Sequence, residues 1–121
     1  MHQGKWNRFF GKRLEEVTVG IICAGRIGTC VLKRWKGFGT RITLINDIIR
    51  YRELDSEFKL EWTNKDRIYK KADVISLHLT LNHLTKNMIR KEHLLKMKSD
   101  AVLINTSRGG IINELELYEV M

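Results

Sequence analysis

Five short apolar runs divide the chain, separated by polar and glycine-containing stretches. Residues 18–23 (TVGIIC), 41–46 (RITLIN), 74–79 (VISLHL) and 101–106 (AVLINT) are rich in β-branched side chains, and residues 59–62 form a weaker run. Runs of this length and type predict strands. Their apolar residues are mostly consecutive instead of alternating with polar ones, which is the pattern of a parallel sheet covered on both faces.

Between the runs the spacing becomes helical. Ile27, Val31, Leu32 and Trp35 fall on one face and predict a helix over 27–35, stopped by Gly37 and Gly39. Asn64 is placed to cap a short helix running through Lys71, because its side-chain oxygen accepts from an otherwise unpaired N–H of the first turn. Residues 90–98, with Leu94, Leu95 and Met97 apolar among charges, predict another helix, and a last one begins near Asn113. Strands alternating with helices give the α/β class, and right-handed crossovers make it a doubly wound, Rossmann-like parallel sheet. The last helix stops at Met121 without a cap, so residues 1–121 read as one truncated domain whose sheet is incomplete at its C-terminal end.

Composition narrows the classes. With 121 residues, 43% hydrophobic and 30% charged, the chain has the balance of one globular domain. Its apolar runs are far short of the roughly 20 residues needed to cross a bilayer, and residues 1–10 carry no apolar core of a signal peptide. No membrane partner and a cytoplasmic location are therefore expected. The net charge of +8 comes from Lys and Arg scattered over every segment. Trp6, Phe9 and Phe10 lie among Lys5, Arg8, Lys12 and Arg13, a mix that can stack bases, but no recognition motif accompanies it and no nucleic-acid partner is expected. Cys23 and Cys30 are read as reduced thiols, and no metal set is completed.

The chemistry concentrates where the first strand hands over to the first helix. Gly25 lets the backbone approach a diphosphate, Gly28 permits close packing of helix on strand, and the helix start offers unpaired N–H donors and a positive dipole end. Asp47 follows Gly28 by 19 residues, at the end of the next strand, where a carboxylate bonds adenosine ribose hydroxyls. Such an acid repels a 2'-phosphate, which favours NAD over NADP. Position 23, where the first glycine of a G-x-G-x-x-G turn belongs, is cysteine, and a side chain there costs backbone freedom. Cys23 is read as a small packing residue and not as a redox thiol.

With these residues in place the chain resembles the D-isomer-specific 2-hydroxyacid dehydrogenases. The resemblance runs from Gly4-Lys5-Trp6, Gly11 and Leu14 through Val19-Gly20-Ile21-Ile22 and Gly25-Arg26-Ile27-Gly28. It continues in Ala72-Asp73-Val74-Ile75-Ser76-Leu77-His78-Leu79, Thr85 and the specific stretch Leu103-Ile104-Asn105-Thr106-Ser107-Arg108-Gly109-Gly110. It implies that the backbone N–H groups of Arg26 and Ile27 lie under the diphosphate and that Asp47 holds the ribose. Leu79, Thr80 and Thr85 would line the adenine and nicotinamide side, and Thr106, Ser107 and Arg108 would border the nicotinamide. Arg108 is the implied catalytic residue: its guanidinium grips a 2-oxo acid through carboxylate and carbonyl oxygens, positioning C2 for hydride transfer.

The resemblance also implies what the chain lacks. The family's proton-transferring histidine, oriented by a glutamate, follows the arginine at positions beyond Met121, and the substrate domain flanks this one. The isolated chain is therefore expected to be inactive, its parent to act on a small 2-hydroxy or 2-oxo acid, and that parent to be a homodimer. His2, His83 and His93 are read as solvated, His78 as lying near the cofactor without serving as catalytic acid, and Glu114, Glu116 and Glu119 as a solvated helix face. Thr80 stands where the family usually has proline. The alternative reading is a non-catalytic NAD(H)-sensing module related to corepressors, which needs the glycine turn and Asp47 but no turnover.

Overall fold

A computed structural model describes residues 13–23, 25–40, 42–47, 54, 59–106 and 109–121. Among these, five strands form one sheet: β1 (Thr18–Ile22), β2 (Ile42–Asn46), β3 (Leu60–Trp62), β4 (Val74–Leu77) and β5 (Val102–Asn105). Their order is β3-β2-β1-β4-β5 and every pairing is parallel. The helices are α1 (Arg26–Phe38), α2 (Lys65–Lys71), α3 (Lys91–Leu94) and α4 (Glu114–Val120). This is the doubly wound α/β arrangement read from the sequence.

The consecutive apolar residues of the strands are explained by two cores, one on each face of the sheet. Val19, Ile21 and Ile45 pack with Leu32 of α1 on one face. Ile22, Leu44, Ile75 and Leu77 pack with Ile68 and Tyr69 of α2 and Leu94 of α3 on the other. Burying one such side chain contributes about 1.5–3 kcal/mol. Gly20 lets α2 reach the sheet: a Cβ there would lie 2.5 Å from Ile68 Cγ2 and 3.1 Å from Ala72 Cβ.

At the amino ends of the strands a single carboxylate joins three segments. Asp73 is only 7% exposed. Its Oδ2 accepts from Thr18 N at 2.9 Å, its Oδ1 faces Lys98 Nζ at 3.0 Å, and its carbonyl accepts from Val102 N at 2.9 Å. β1, β4 and β5 thus start from one polar knot whose groups all have partners.

Several element ends differ from the sequence reading. α1 continues through Gly37 and stops at Gly39, which is left-handed at φ 68°. Ile27 leaves the expected apolar face and is 65% exposed, while Gly28 and Leu32 are buried and Val31 and Trp35 partly so. The helix expected over 90–98 narrows to α3, because Lys96 N and Met97 N bond back three residues, to His93 and Leu94, and wind the chain into tight turns. β4 ends at Leu77, before His78 and Leu79. Asn64 caps α2 as expected, its Oδ1 accepting from Arg67 N at 2.8 Å. Arg41, at the expected start of the second strand, lies outside the described residues.

Candidate functional site

The strand order places a reversal at β1. The chain moves from β1 outward to β2 and β3, then crosses back to add β4 and β5 on the other side. In such sheets a crevice opens beyond the carboxyl ends of the strands at the reversal. Asn46, Ile22, Leu77 and Asn105 form one row across the sheet, so Asp47, Cys23, His78 and Thr106 are the next residues out at that edge. The sequence-predicted residues of β2, β1, β4 and β5 are thereby brought to one rim.

The turn into α1 is shaped by contacts that glycine alone allows. Cys23 N bonds Asn46 O at 2.7 Å, and Cys23 itself is left-handed, with φ 72°. That is the conformation for which the missing motif glycine is suited, and in an L-residue it costs roughly 1–2 kcal/mol. The turn then delivers Cys23 O against α1: a Cβ on Gly28 would lie 2.5 Å from that oxygen and 3.7 Å from His78 Cβ. Gly28 therefore fixes how closely the helix start approaches both β1 and β4. Ala24 lies outside the described residues.

Gly25 caps α1 with no side-chain hydrogen bond, and among the described residues outside its own turn no atom lies within 4 Å of where a Cβ would stand. Arg26 and Ile27, the next two residues, are exposed, and no acidic residue stands in the first turn. A 13-residue helix thus presents its positive end and its first N–H groups at the crevice with nothing negative beside them in that turn. These residues fit a dinucleotide diphosphate.

The pairing of Ile22 with Asn46 makes Asp47 the residue that follows β2 beside the same turn. Burial pushes the Cys23 thiol up to about 11, the charge of Asp47 acts in the same direction, and Lys65 opposes it. The thiol stays protonated near neutral pH, as the reading of Cys23 as a packing residue requires. Both cysteines are free.

His78 follows Leu77, one residue beyond the row that Ile22, Leu77 and Asn105 form across the sheet. It is half-buried, burial holds its imidazole below the usual histidine range, and its Nε2 is 2.8 Å from Ser76 Oγ. Beyond it the chain makes a tight loop. Thr85 Oγ1 donates to Thr80 O at 2.6 Å and accepts from Asn82 N at 2.9 Å, while Asn82 Oδ1 accepts from Leu84 N and Thr85 N. This bracing ties the turn to the backbone carbonyl of Thr80. It also gives the Thr85 hydroxyl a first task within the loop, and Asn82, which the sequence reading passed over, is the hub. An Asn three residues before a Thr in a polar stretch was the available signal.

Leu79 is half-buried against the core, and Thr80 and Thr106 are exposed. Ser107 and Arg108, including the implied catalytic residue, lie outside the described residues. Two readings are revised. His93 is not simply solvated: its Nδ1 accepts from Arg90 N at 2.9 Å and its ring packs on Tyr69 at 5.3 Å. Glu116 and Glu119 do not form a bare solvated face, since Glu116 bonds Arg90 Nη2 and Lys91 N, and Glu119 pairs with Lys91 Nζ. Among the described residues no helix is long and apolar enough to cross a membrane.

Comparison with known proteins agrees with this fold. Over residues 1–121 the sequence matches the family described as D-isomer specific 2-hydroxyacid dehydrogenase, NAD binding domain. It is 36% identical to a glyoxylate reductase of Korarchaeum cryptofilum, over 100% of this chain and 38% of that protein. It is also 36% identical to a hydroxypyruvate reductase of Thermotoga maritima, over 98% of this chain and 38% of that protein. Among solved structures, a D-lactate dehydrogenase from Sporolactobacillus sp. superposes with TM-score 0.89 at 34% identity, covering 98% of this chain and 35% of that one. The NAD-complexed form of a D-isomer specific 2-hydroxyacid dehydrogenase from Lactobacillus delbrueckii ssp. bulgaricus gives TM-score 0.88 at 31% identity, with the same coverage. The chain thus spans well under half the length of these relatives.

Proposed function

Since the chain belongs to the D-isomer-specific 2-hydroxyacid dehydrogenase family, as its NAD-binding domain, we propose that it serves a protein that moves a hydride between NAD and a small D-2-hydroxy or 2-oxo acid. The observation that carries this reading is the turn at β1: open space at Gly25 among the described residues, close contact at Gly28, and Asp47 following Asn46, the strand partner of Ile22. When bound, NAD supplies the carbon that gives or takes the hydride. The N–H groups of Arg26 and Ile27 receive its diphosphate, and Asp47 accepts from the adenosine ribose hydroxyls and repels a 2'-phosphate. Leu79, Thr80, Thr85, Thr106 and Ser107 border the rest of the cofactor. Arg108 grips the carboxylate and carbonyl of the acid by a two-pronged contact that lysine cannot reproduce.

His78 stays neutral behind this site and shapes it without carrying the reaction's proton. The proton carrier and the opposite wall of the substrate cleft come from outside residues 1–121, and the isolated chain binds cofactor without turnover. The whole protein pairs as a homodimer. Its candidate contact is the outward face of α1, where Ile27 and Phe38 are 65% and 57% exposed beside Cys30, Arg34 and Trp35.

Titration of the chain with NADH, followed by energy transfer from Trp35 and Trp62 to the nicotinamide, tests the reading. A saturable signal is expected, with NADPH binding more weakly. Asp47→Asn should weaken NADH by about tenfold or more, the scale of one lost hydrogen bond to a charged group. No signal at millimolar NADH would sink it.

A further inference from the structure

Two segments that approach the crevice from different strands are fastened together by a series of contacts that begins at one residue. The loop after β4 carries Thr80 and Thr85, and residues 109–112 follow β5 immediately after Arg108. Asn87 closes the loop in the left-handed region, with φ 53°. It donates its N–H to Gly110 O at 2.7 Å, and Ile89 N then bonds Ile111 O at 3.0 Å. Asn113 N returns to Ile89 O at 2.9 Å, so residues 87–89 and 110–113 lie side by side, with Ile89 and Ile112 forming a parallel bridge. Leu81 of the same loop covers Gly110, where an added Cβ would be 3.3 Å from Leu81 Cδ1.

The positive φ at position 87 makes this zipper possible. It reverses the chain so that successive strand-like N–H groups, at 87 and 89, meet the carbonyls of the second segment. Asparagine tolerates that region better than most residues, glycine adopts it freely, and a β-branched residue is a genuine outlier there.

We propose that Asn87 is a positioning residue which, through Gly110, makes the cofactor-side loop and the segment after β5 one rigid unit. This rests on the reading that the loop borders NAD. Ordering of the loop by the dinucleotide then orders residues 109–112 without touching them. The cofactor sets the geometry next to Arg108 before the acid arrives, as one ligand preparing the site of another requires.

Amide hydrogen exchange on the 121-residue chain, with and without saturating NADH, tests this. In the unaltered chain, NADH should slow exchange at Lys86 in the loop and at Ile112 in the second segment, each by about fivefold or more, the lower end of ordinary coupling. Asn87→Gly should preserve both effects. Asn87→Val should keep the slowing at Lys86 and lose it at Ile112, and without cofactor it should speed exchange at both amides. Leu81→Ser, a change at an exposed side chain, should reduce the Ile112 effect in part and guards against a valine variant that does not fold. Retention of the full Ile112 response in Asn87→Val, or equal loss in Asn87→Gly, overturns the proposal. NADH slowing exchange nowhere overturns the cofactor reading and the proposal's functional half with it. The cofactor-free comparison separately decides whether Asn87 joins the two segments.

Discussion

The two ends of the sheet are built on opposite terms. At the amino ends, Asp73 turns inward and its oxygens satisfy Thr18 N, Lys98 Nζ and Val102 N in a buried knot. At the carboxyl ends, Cys23 is held left-handed, Gly25 leaves a helix start open, and Arg26, Thr80 and Thr106 stand exposed. One end satisfies its polar groups internally and supports the fold. The other holds Cys23 in a strained conformation beside exposed side chains. On the proposed function, stability and binding separate along the strand direction, and substitutions at the two ends should separate in their effects.

The largest effect is expected at the point where the two demands meet. Gly28→Ala drives a Cβ against Cys23 O, an overpacking that costs about 1–3 kcal/mol, and it should also lower NADH affinity by at least about tenfold as the helix start backs away. Urea unfolding and NADH titration read the two together, and a normal titration would mean that Gly28 serves packing alone. Asp73→Ala should cost about 1.5–3 kcal/mol, the range for hydrogen bonds to a charged group, while leaving the NADH affinity of the folded fraction unchanged. A matching fall in affinity would erase the division between the ends.

Smaller changes sharpen the contrast. Cys23→Gly should stabilise the chain by about 1 kcal/mol by relieving the left-handed strain, and Cys23→Ala should give no such gain. The smallest effect is alkaline. The Cys23 thiol rises from 9.0 to about 11 and the Tyr69 phenol from 10.0 to about 12, both chiefly through burial. In those windows the folded chain holds protons that the unfolded chain releases, so stability should fall as pH rises from 9 toward 12. The unfolding midpoint of Cys23→Ala should be less sensitive between pH 9 and 11, and an unchanged slope would remove the thiol from the account.

How much of this was legible depended on whether a requirement was local. The need for glycine at position 28 and for an acid near position 47 is written in a few residues of spacing, and both stand at the crevice rim. Strand positions were legible because a two-faced sheet demands unbroken apolar runs. Helix ends were less so: Gly37 weakens a helix but imposes no stop, whereas Gly39 takes the left-handed turn that ends it. The role of Asp73 was not visible, since Thr18 lies 55 positions away and Lys98 25. The Asn87 contact to Gly110 was hidden for the same reason.

The two thiols differ in a way that has a practical use. Cys30 is exposed on the outer surface of α1, while Cys23 is half-buried and stays protonated well above neutral pH. A nitroxide or maleimide dye applied near pH 7 should therefore load Cys30 selectively, without engineering. Since Cys30 lies on the α1 face named as the candidate contact, protection of that thiol from the reagent would report when a second copy covers it.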